Sequence, residues 1–135
     1  MKKMPKNYRC PDKFGKLLGY RLLEMNRGKM AARATLTLRE DHLSPAGRIH
    51  GGVISSFFDF ACGAAVFSTM RHEDFCSTVE LKVNYFRPLL VGDRLVCNSQ
   101  VVFRGNKLAV VQASLDRGRE KVAMASATFY IVSRT

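Results

Sequence analysis

The chain has 135 residues, of which 47% are hydrophobic and 24% charged, as in a single globular domain with one buried core. Its formal net charge of +11 attracts polyanions such as nucleic acid, acidic lipids or a phosphorylated small molecule, although the basic residues are dispersed and no nucleic-acid-binding motif accompanies them. The basic segment 1–13 has no apolar signal core, and no run reaches the roughly 18 to 20 apolar residues of a membrane span, so we expect a cytoplasmic protein.

The residues before position 50 predict one short helix and two strands. These elements are a helix over 8–18 and strands over 20–25 and 29–39, joined by a turn at 26–28. The second strand alternates apolar with polar side chains, which predicts that one of its faces packs on a core. A polar loop over 40–49, with Pro45 and Gly47 as chain breakers, leads to the next element.

The segment HGGVISSFFDFACGAAVFSTM, residues 50–70, predicts a buried helix. Its apolar side chains follow helical spacing from Val53 to Ala65, and the segment is apolar nearly all round. Asp59 is the one charged residue within FFDFACGAAVF. An isolated carboxylate in apolar surroundings is costly unless it finds partners, so Asp59 either bonds a neighbouring loop or belongs to a functional site.

The rest of the chain is rich in predicted strands. Residues 78–86 alternate, and the apolar face of that strand would carry Val79, Leu81, Val83 and Tyr85. Three further strands are predicted over 94–103, 107–115 and 121–132, with turns at 105–106 and 117–118. The order β-β-α-β-β-β-β predicts a single α+β domain over 1–135, with one buried helix and a largely antiparallel sheet of about six strands curled round it.

His50, Gly51 and Gly52 open the predicted helix. The first N–H groups of a helix have no intrahelical acceptor and lie at its positive end. Glycines at this point let a ligand approach the backbone, so the N–H groups can polarise a carbonyl or bind an anion. A flexible loop-to-helix junction is the alternative interpretation of the same three residues.

Asp59 and Thr78 carry the other candidate chemistry. Asp59 follows His50 by nine residues, which is about 13 Å along a helix. If the two residues act on one bond, they must come from different subunits, and this spacing therefore predicts a dimer. Thr78 leads a predicted strand, where its hydroxyl could hold a water beside a carboxylate or could simply serve as a β-branched strand residue.

The cysteines and histidines do not indicate a metal centre or a disulfide framework. The four cysteines include no CxxC spacing, which is typical of free thiols in a reducing compartment. His42, His50 and His72 lack the spacing to acids or cysteines that a metal site needs. We therefore expect no metal and no cofactor.

The stretch RIHGGVISSFFDFACGAAV, followed by TVELKVNYFRPLLVGDRL, resembles the hotdog-fold acyl-CoA thioesterases of the phenylacetate-degradation type. The resemblance covers residues 14–132. It implies a long helix wrapped by a strongly curved antiparallel sheet, with subunits paired into dimers that often pair again into tetramers. It also implies that coenzyme A enters as part of an acyl-CoA substrate rather than as a cofactor.

The resemblance carries roles onto five positions. It implies that the Gly51 N–H polarises the thioester carbonyl and that His50 stands beside the thioester. Asp59 of the other subunit would act as general base on water or as nucleophile, and Thr78 of that subunit would help to position the water. Ser44 stands where the family often has Asn or Gln, and its shorter side chain can still donate a hydrogen bond.

The positive charge suggests partners for the phosphates of coenzyme A. Arg87, Arg104 and Lys107 lie at predicted strand ends or turns, and a guanidinium offers a bidentate fork to phosphate. Glu80, on the predicted strand 78–86, is assigned to the same binding surface. Solvated surface positions are the alternative for each of these residues.

Three functions remain open at this point. The first is acyl-CoA hydrolysis, with an aryl or medium-chain acyl group beside Phe57, Phe58 and Phe60. The second is a non-catalytic acyl-CoA sensor, coupled to nucleic acid through the basic start of the chain. The third, a hydratase or dehydratase acting on enoyl thioesters, needs a different pairing of histidine and acid. The acyl group, the thioester carrier and the choice between dimer and tetramer stay undetermined.

Overall fold

The computed structural model describes residues 12–71 and 73–133. Its elements are α1 (Lys13–Leu18), β1 (Arg21–Asn26), β2 (Ala31–Thr37), a 3-10 turn (Glu40–His42), α2 (Gly51–Phe67), β3 (Phe75–Tyr85), β4 (Arg94–Arg104), β5 (Leu108–Arg117) and β6 (Glu120–Val132). The predicted strands and the long helix are present, although α2 ends at Phe67 and β3 begins at Phe75. Residues 8–11 of the predicted first helix lie outside the described residues.

The six strands form one antiparallel sheet in the order β1-β2-β4-β5-β6-β3. The strands β1 and β3 are its two edges, and α2 contacts all six strands. The expected α+β hotdog architecture, one long helix and a curved antiparallel sheet of six strands, is confirmed.

Burial of α2 follows from its composition. Nine of its seventeen residues are buried, and among them Ala61, Ala64 and Ala65 let the sheet come close to the helix. The predicted core face of β2 is confirmed, because Ala32, Ala34 and Leu36 are buried. Thr35, predicted on the opposite face, is buried as well, and its hydroxyl donates to the Leu95 carbonyl at 2.9 Å. The buried Ser99 hydroxyl on β4 donates to the Ala61 carbonyl at 2.8 Å, which fixes the middle of α2 on the sheet.

A β-bulge at Val79 changes the faces of β3. Thr78 pairs with Phe129 of β6 and Glu80 pairs with Thr128, so Val79 is the extra residue in the ladder. Val79 is 61% exposed, and its predicted place on the apolar face is wrong. A bulge shifts the alternation by one residue, which puts Thr78 on the face that Leu81 occupies, towards α2.

The short helix α1 is capped at its start and held against the body of the domain at its end. At its start, the Asp12 side chain accepts a hydrogen bond from the Gly15 N–H at 2.5 Å. At its end, Arg39 Nη2 donates to the Leu17 carbonyl at 2.6 Å, and the buried His42 ring lies 2.7 Å from the Leu18 carbonyl. Because the His42 Nδ1 accepts the Arg39 N–H, its Nε2 is the nitrogen that donates to Leu18.

Candidate active site

The start of α2 is fixed by two side chains. His50 is the N-cap residue, and its Nδ1 accepts a hydrogen bond from the Gly52 N–H at 2.9 Å. Since Nδ1 is an acceptor, the neutral His50 ring carries its proton on Nε2. The Tyr85 hydroxyl, at the end of β3, donates to the Gly51 carbonyl at 2.8 Å.

The Gly51 N–H takes part in neither of these hydrogen bonds and is available to a ligand. It belongs to the first residue of the helix, where the backbone N–H has no intrahelical acceptor. Gly51 lines a cavity of about 450 Å³ in which Arg48 and Arg87 supply positive charge and Ile49 and Ile54 supply apolar surface. A carbonyl or an anion in this cavity would meet an N–H donor, the positive end of α2 and two guanidinium groups.

Asp59 and Thr78 are in direct contact. The Thr78 Oγ1 donates to Asp59 Oδ1 at 2.6 Å, within the range of a hydrogen bond between a hydroxyl and a carboxyl oxygen. Asp59 is half-buried on α2, and Thr78 is exposed on the edge strand β3. The contact gives the carboxylate a partner and a fixed rotamer, and it leaves the second carboxylate oxygen for another ligand.

The charge of Asp59 also affects two neighbouring thiols. Burial, with a further contribution from the Asp59 carboxylate, raises the pKa of Cys76 to about 11. The same two causes raise the pKa of Cys62 to about 12. Both thiols are therefore protonated near neutral pH, which makes them poor nucleophiles.

A second cavity, of about 320 Å³, lies beside Asp59. Its lining includes Phe14 of α1, Tyr20 and Phe60, and the Tyr20 ring stacks on Phe60 with centroids 4.3 Å apart. The cavity contains a second carboxylate, Asp12, and none of its lining residues is a lysine, arginine or histidine. It therefore offers an apolar wall and a negative end.

The expectation that three phenylalanines of α2 line an acyl pocket is wrong for two of them. Phe57 and Phe58 are fully buried in the core, and only Phe60 reaches the cavity beside Asp59. The sequence predicted a helix that is apolar nearly all round, and such a helix does not show which side faces the sheet.

The structure separates the remaining predicted residues. Arg87 lines the Gly51 cavity and pairs with Glu120 at 3.3 Å. Arg104 and Lys107 instead line a cavity near the end of α2, where Arg104 Nε donates to the Thr69 hydroxyl at 2.7 Å. The predicted phosphate partners thus fall into two groups.

Ser44 and Glu80 line neither the Gly51 cavity nor the Asp59 cavity. Ser44 begins a tight turn in which its carbonyl accepts the Gly47 N–H at 2.9 Å. Glu80 is exposed on β3, directly after the bulge. Their predicted roles stay predictions.

Tyr85 and Arg48 are site residues that the sequence reasoning missed. Tyr85 was assigned only to the apolar face of its strand, and its contact with Gly51 depends on how the end of β3 packs on α2. A signal was present for Arg48, a basic residue two positions before the helix cap. A cation so close to a helix start can serve an anion that binds there.

The fold and the two cavities define a class: hotdog proteins with a glycine-led helix start and a carboxylate further along the same helix. The model of the Thioesterase superfamily matches residues 46–124, which span α2, β3, β4, β5 and the first part of β6. The chain belongs to this family. The expectation of an enzyme that hydrolyses thioesters is thereby confirmed.

Individual relatives agree with this assignment. The chain is 32% identical to a "Putative esterase" of Archaeoglobus fulgidus, over 90% of this chain and 77% of the relative. It is 38% identical to the medium/long-chain acyl-CoA thioesterase YigI of Escherichia coli K12, over 59% of each chain. The structure of the E. coli PaaI protein from the phenylacetic acid degradation operon matches with a TM-score of 0.81 and 22% identity, over 91% of this chain and 86% of that one, which shows the same fold.

Within the described part of the chain, none of the helices has the length and apolar character of a membrane span.

Proposed function

We propose that the protein hydrolyses acyl-CoA thioesters to a free acid and coenzyme A. The observation that carries the proposal is the Asp59 carboxylate, bound by Thr78 at 2.6 Å and facing a cavity with an aromatic wall. A carboxylate held in this way can accept a proton from water beside an apolar acyl group. The acyl-CoA thioesterase YigI among the relatives supports coenzyme A as the carrier.

The proposed reaction uses two subunits. The Gly51 N–H of one subunit polarises the thioester carbonyl, and Asp59 of the partner subunit takes a proton from the attacking water. Thr78 keeps the carboxylate oriented. The water oxygen bonds to the carbonyl carbon, the carbon–sulfur bond breaks, and the proton passes to the departing thiolate of coenzyme A. Direct attack by the Asp59 carboxylate, followed by hydrolysis of the anhydride, gives the same products.

The sharing of the site between subunits is supported by the separation of its parts. In one chain, Gly51 and Asp59 line different cavities, and Asp59 follows Gly51 by eight positions on α2, a rise of about 12 Å. The edge strand β3 is eleven residues long and is paired only with β6. Its side chains include Phe75, Val79 and Tyr85 among the exposed large hydrophobic residues, as expected of a strand that pairs with a second copy.

The coenzyme A phosphates have their best-supported partners at the Gly51 cavity. Arg48 and Arg87 both line this cavity, and their guanidinium groups offer donors to the phosphate end of coenzyme A, which the pantetheine arm separates from the thioester. Arg104 already donates to Thr69 and Gly105 and is less free to bind phosphate. Lys107 and Glu80 remain further candidates on the surface.

The test is hydrolysis of a panel of acyl- and aryl-CoA thioesters, measured by the release of free thiol. We expect the wild type to hydrolyse at least one class and Asp59→Ala to lose roughly a hundredfold or more in kcat, as removal of a general base should cost. Glu73→Gln, which changes an exposed acid outside both cavities, is the matched control. A wild type that binds CoA thioesters without hydrolysing any of them would refute the proposal and favour a sensor.

A further inference from the structure

One peptide unit at the start of α2 is held from both of its sides. The Gly51 carbonyl accepts the Tyr85 hydroxyl at 2.8 Å, and the N–H of the same peptide, on Gly52, donates to His50 Nδ1 at 2.9 Å. Both polar groups of the Gly51–Gly52 peptide are thus engaged by side chains. The neighbouring N–H, on Gly51, takes part in neither of these two bonds.

The two glycines need such support. Glycine has more backbone freedom than any other residue, and two in succession make a helix start that frays easily. The cap from His50 comes from the adjacent residue and moves with the chain. The hydroxyl of Tyr85 comes from β3, a separate element, and it ties the helix start to the sheet.

The hydroxyl of Tyr85 can donate its hydrogen bond throughout the neutral pH range. Burial raises the pKa of Tyr85 above its ordinary value of 10.0, and a hydrogen bond with Ser55 offsets this only in part, so the group remains a donor across the neutral range. A methyl group built on Gly51 would lie 3.4 Å from the Tyr85 oxygen, which shows how closely the hydroxyl packs against the backbone.

We propose that Tyr85 is a positioning residue for the reaction: together with His50 it holds the Gly51–Gly52 peptide, so that the Gly51 N–H keeps its direction towards the thioester carbonyl. This inference rests on the proposed function. It assigns Tyr85 no contact with the reacting atoms. The hydroxyl acts through the backbone, and its effect belongs in kcat rather than in KM, because the N–H is needed most when charge develops on the carbonyl oxygen.

The first test compares Tyr85→Phe with Tyr130→Phe, a second partly exposed tyrosine that lines neither the Gly51 cavity nor the Asp59 cavity. We expect Tyr85→Phe to lower kcat about fivefold, the loss of one neutral hydrogen bond, with KM within about twofold. Tyr130→Phe should leave both constants unchanged. A Tyr85→Phe enzyme with wild-type kcat, or with the loss confined to KM, would overturn the inference.

The second test asks whether Tyr85 and His50 act on the same peptide. Because both bonds hold one unit, the losses in Tyr85→Phe and His50→Ala should not multiply in the double variant. His50→Asn keeps a side chain that caps helices and should recover part of the loss seen in His50→Ala. Multiplicative losses in the double variant would show that the two residues act separately and would refute the shared hold.

A third measurement does not depend on activity. Hydrogen exchange at the Gly52 amide should be faster in Tyr85→Phe than in the wild type, with no change in Tyr130→Phe. If the wild type hydrolyses no thioester, the proposed function fails, and the exchange rate alone then decides whether Tyr85 holds the peptide. If hydrolysis is present and the exchange rate is unchanged, the inference fails and the proposed function stands.

Discussion

Replacing Thr78 by valine removes the hydroxyl that holds Asp59 and keeps nearly the same shape. Valine is β-branched and suits a strand as well as threonine does, so β3 should form normally. The bond that is lost is the one of 2.6 Å from Thr78 Oγ1 to Asp59 Oδ1. In the proposed reaction, the carboxylate would then be free to rotate away from the attacking water.

The size of the effect follows from the type of bond. Hydrogen bonds to charged groups contribute about 1.5–3 kcal/mol, and the exposure of Thr78 places this one near the lower end. About 1.5 kcal/mol corresponds to roughly a tenfold change in rate. We therefore expect Thr78→Val to lose about tenfold in kcat/KM, far less than the loss expected from removing Asp59 itself.

The assay is thiol release from the best CoA thioester of the panel, with thermal unfolding measured in parallel. Thr78→Ser retains the hydroxyl and should stay within about threefold of the wild type. Ser77→Ala, at the exposed neighbouring position, should have no effect. If Thr78→Val hydrolyses at the wild-type rate, the contact with Asp59 has no part in catalysis and the reasoning is refuted.

Two further predictions concern the surroundings of Asp59. Since the Asp59 charge helps to raise the pKa of Cys76, Asp59→Asn should lower that pKa and speed alkylation of Cys76 by iodoacetamide at a fixed, mildly alkaline pH. The alkylation rate is measured by peptide mass spectrometry, and an unchanged rate would contradict the prediction. Phe14, 51% exposed on α1, forms part of the cavity wall, so Phe14→Ala should raise KM for the best acyl-CoA about fivefold. Leu17→Ala, on the same helix and outside the cavity, is the control, and equal effects of the two variants would show that the wall does not bind the acyl group.

Much of the fold was predictable because it depends on local pattern. The alternation of β2 and the helical spacing of α2 each repeat along the whole element. Such a repeat identifies the strand or helix even when its ends are misplaced. The ends themselves were less predictable. For β3, the observed start at Phe75 depends on pairing with Val132 of β6, almost sixty residues away in the chain.

The bulge at Val79 shows why the faces of a strand are harder to predict than its existence. The sequence placed Val79 with Leu81, Val83 and Tyr85, opposite to Thr78. The extra residue in the ladder with β6 reversed this arrangement for Val79 and Thr78 alone. No local pattern marks the bulge, because it is a property of two strands and their register.

The candidate site was predictable where a residue conflicts with its local surroundings. Asp59 interrupts an apolar run, and the glycines at 51 and 52 weaken the start of a helix. Because both features are locally unfavourable, they indicated a functional site. Tyr85 conflicts with nothing in its strand. Its importance lies in a contact with Gly51 that exists only after β3 packs against α2.

The strand β3 connects the two halves of the proposed site. Near its beginning, Thr78 holds Asp59; at its end, Tyr85 holds the peptide after Gly51. In a site shared between subunits, each β3 would then orient the carboxylate of one active site and the backbone donor of the other. Because β3 is also the long free edge of the sheet, the proposed pairing of subunits and the geometry of both sites depend on the same strand, and the bulge at Val79 is the feature that lets Thr78 and Tyr85 face the helix together.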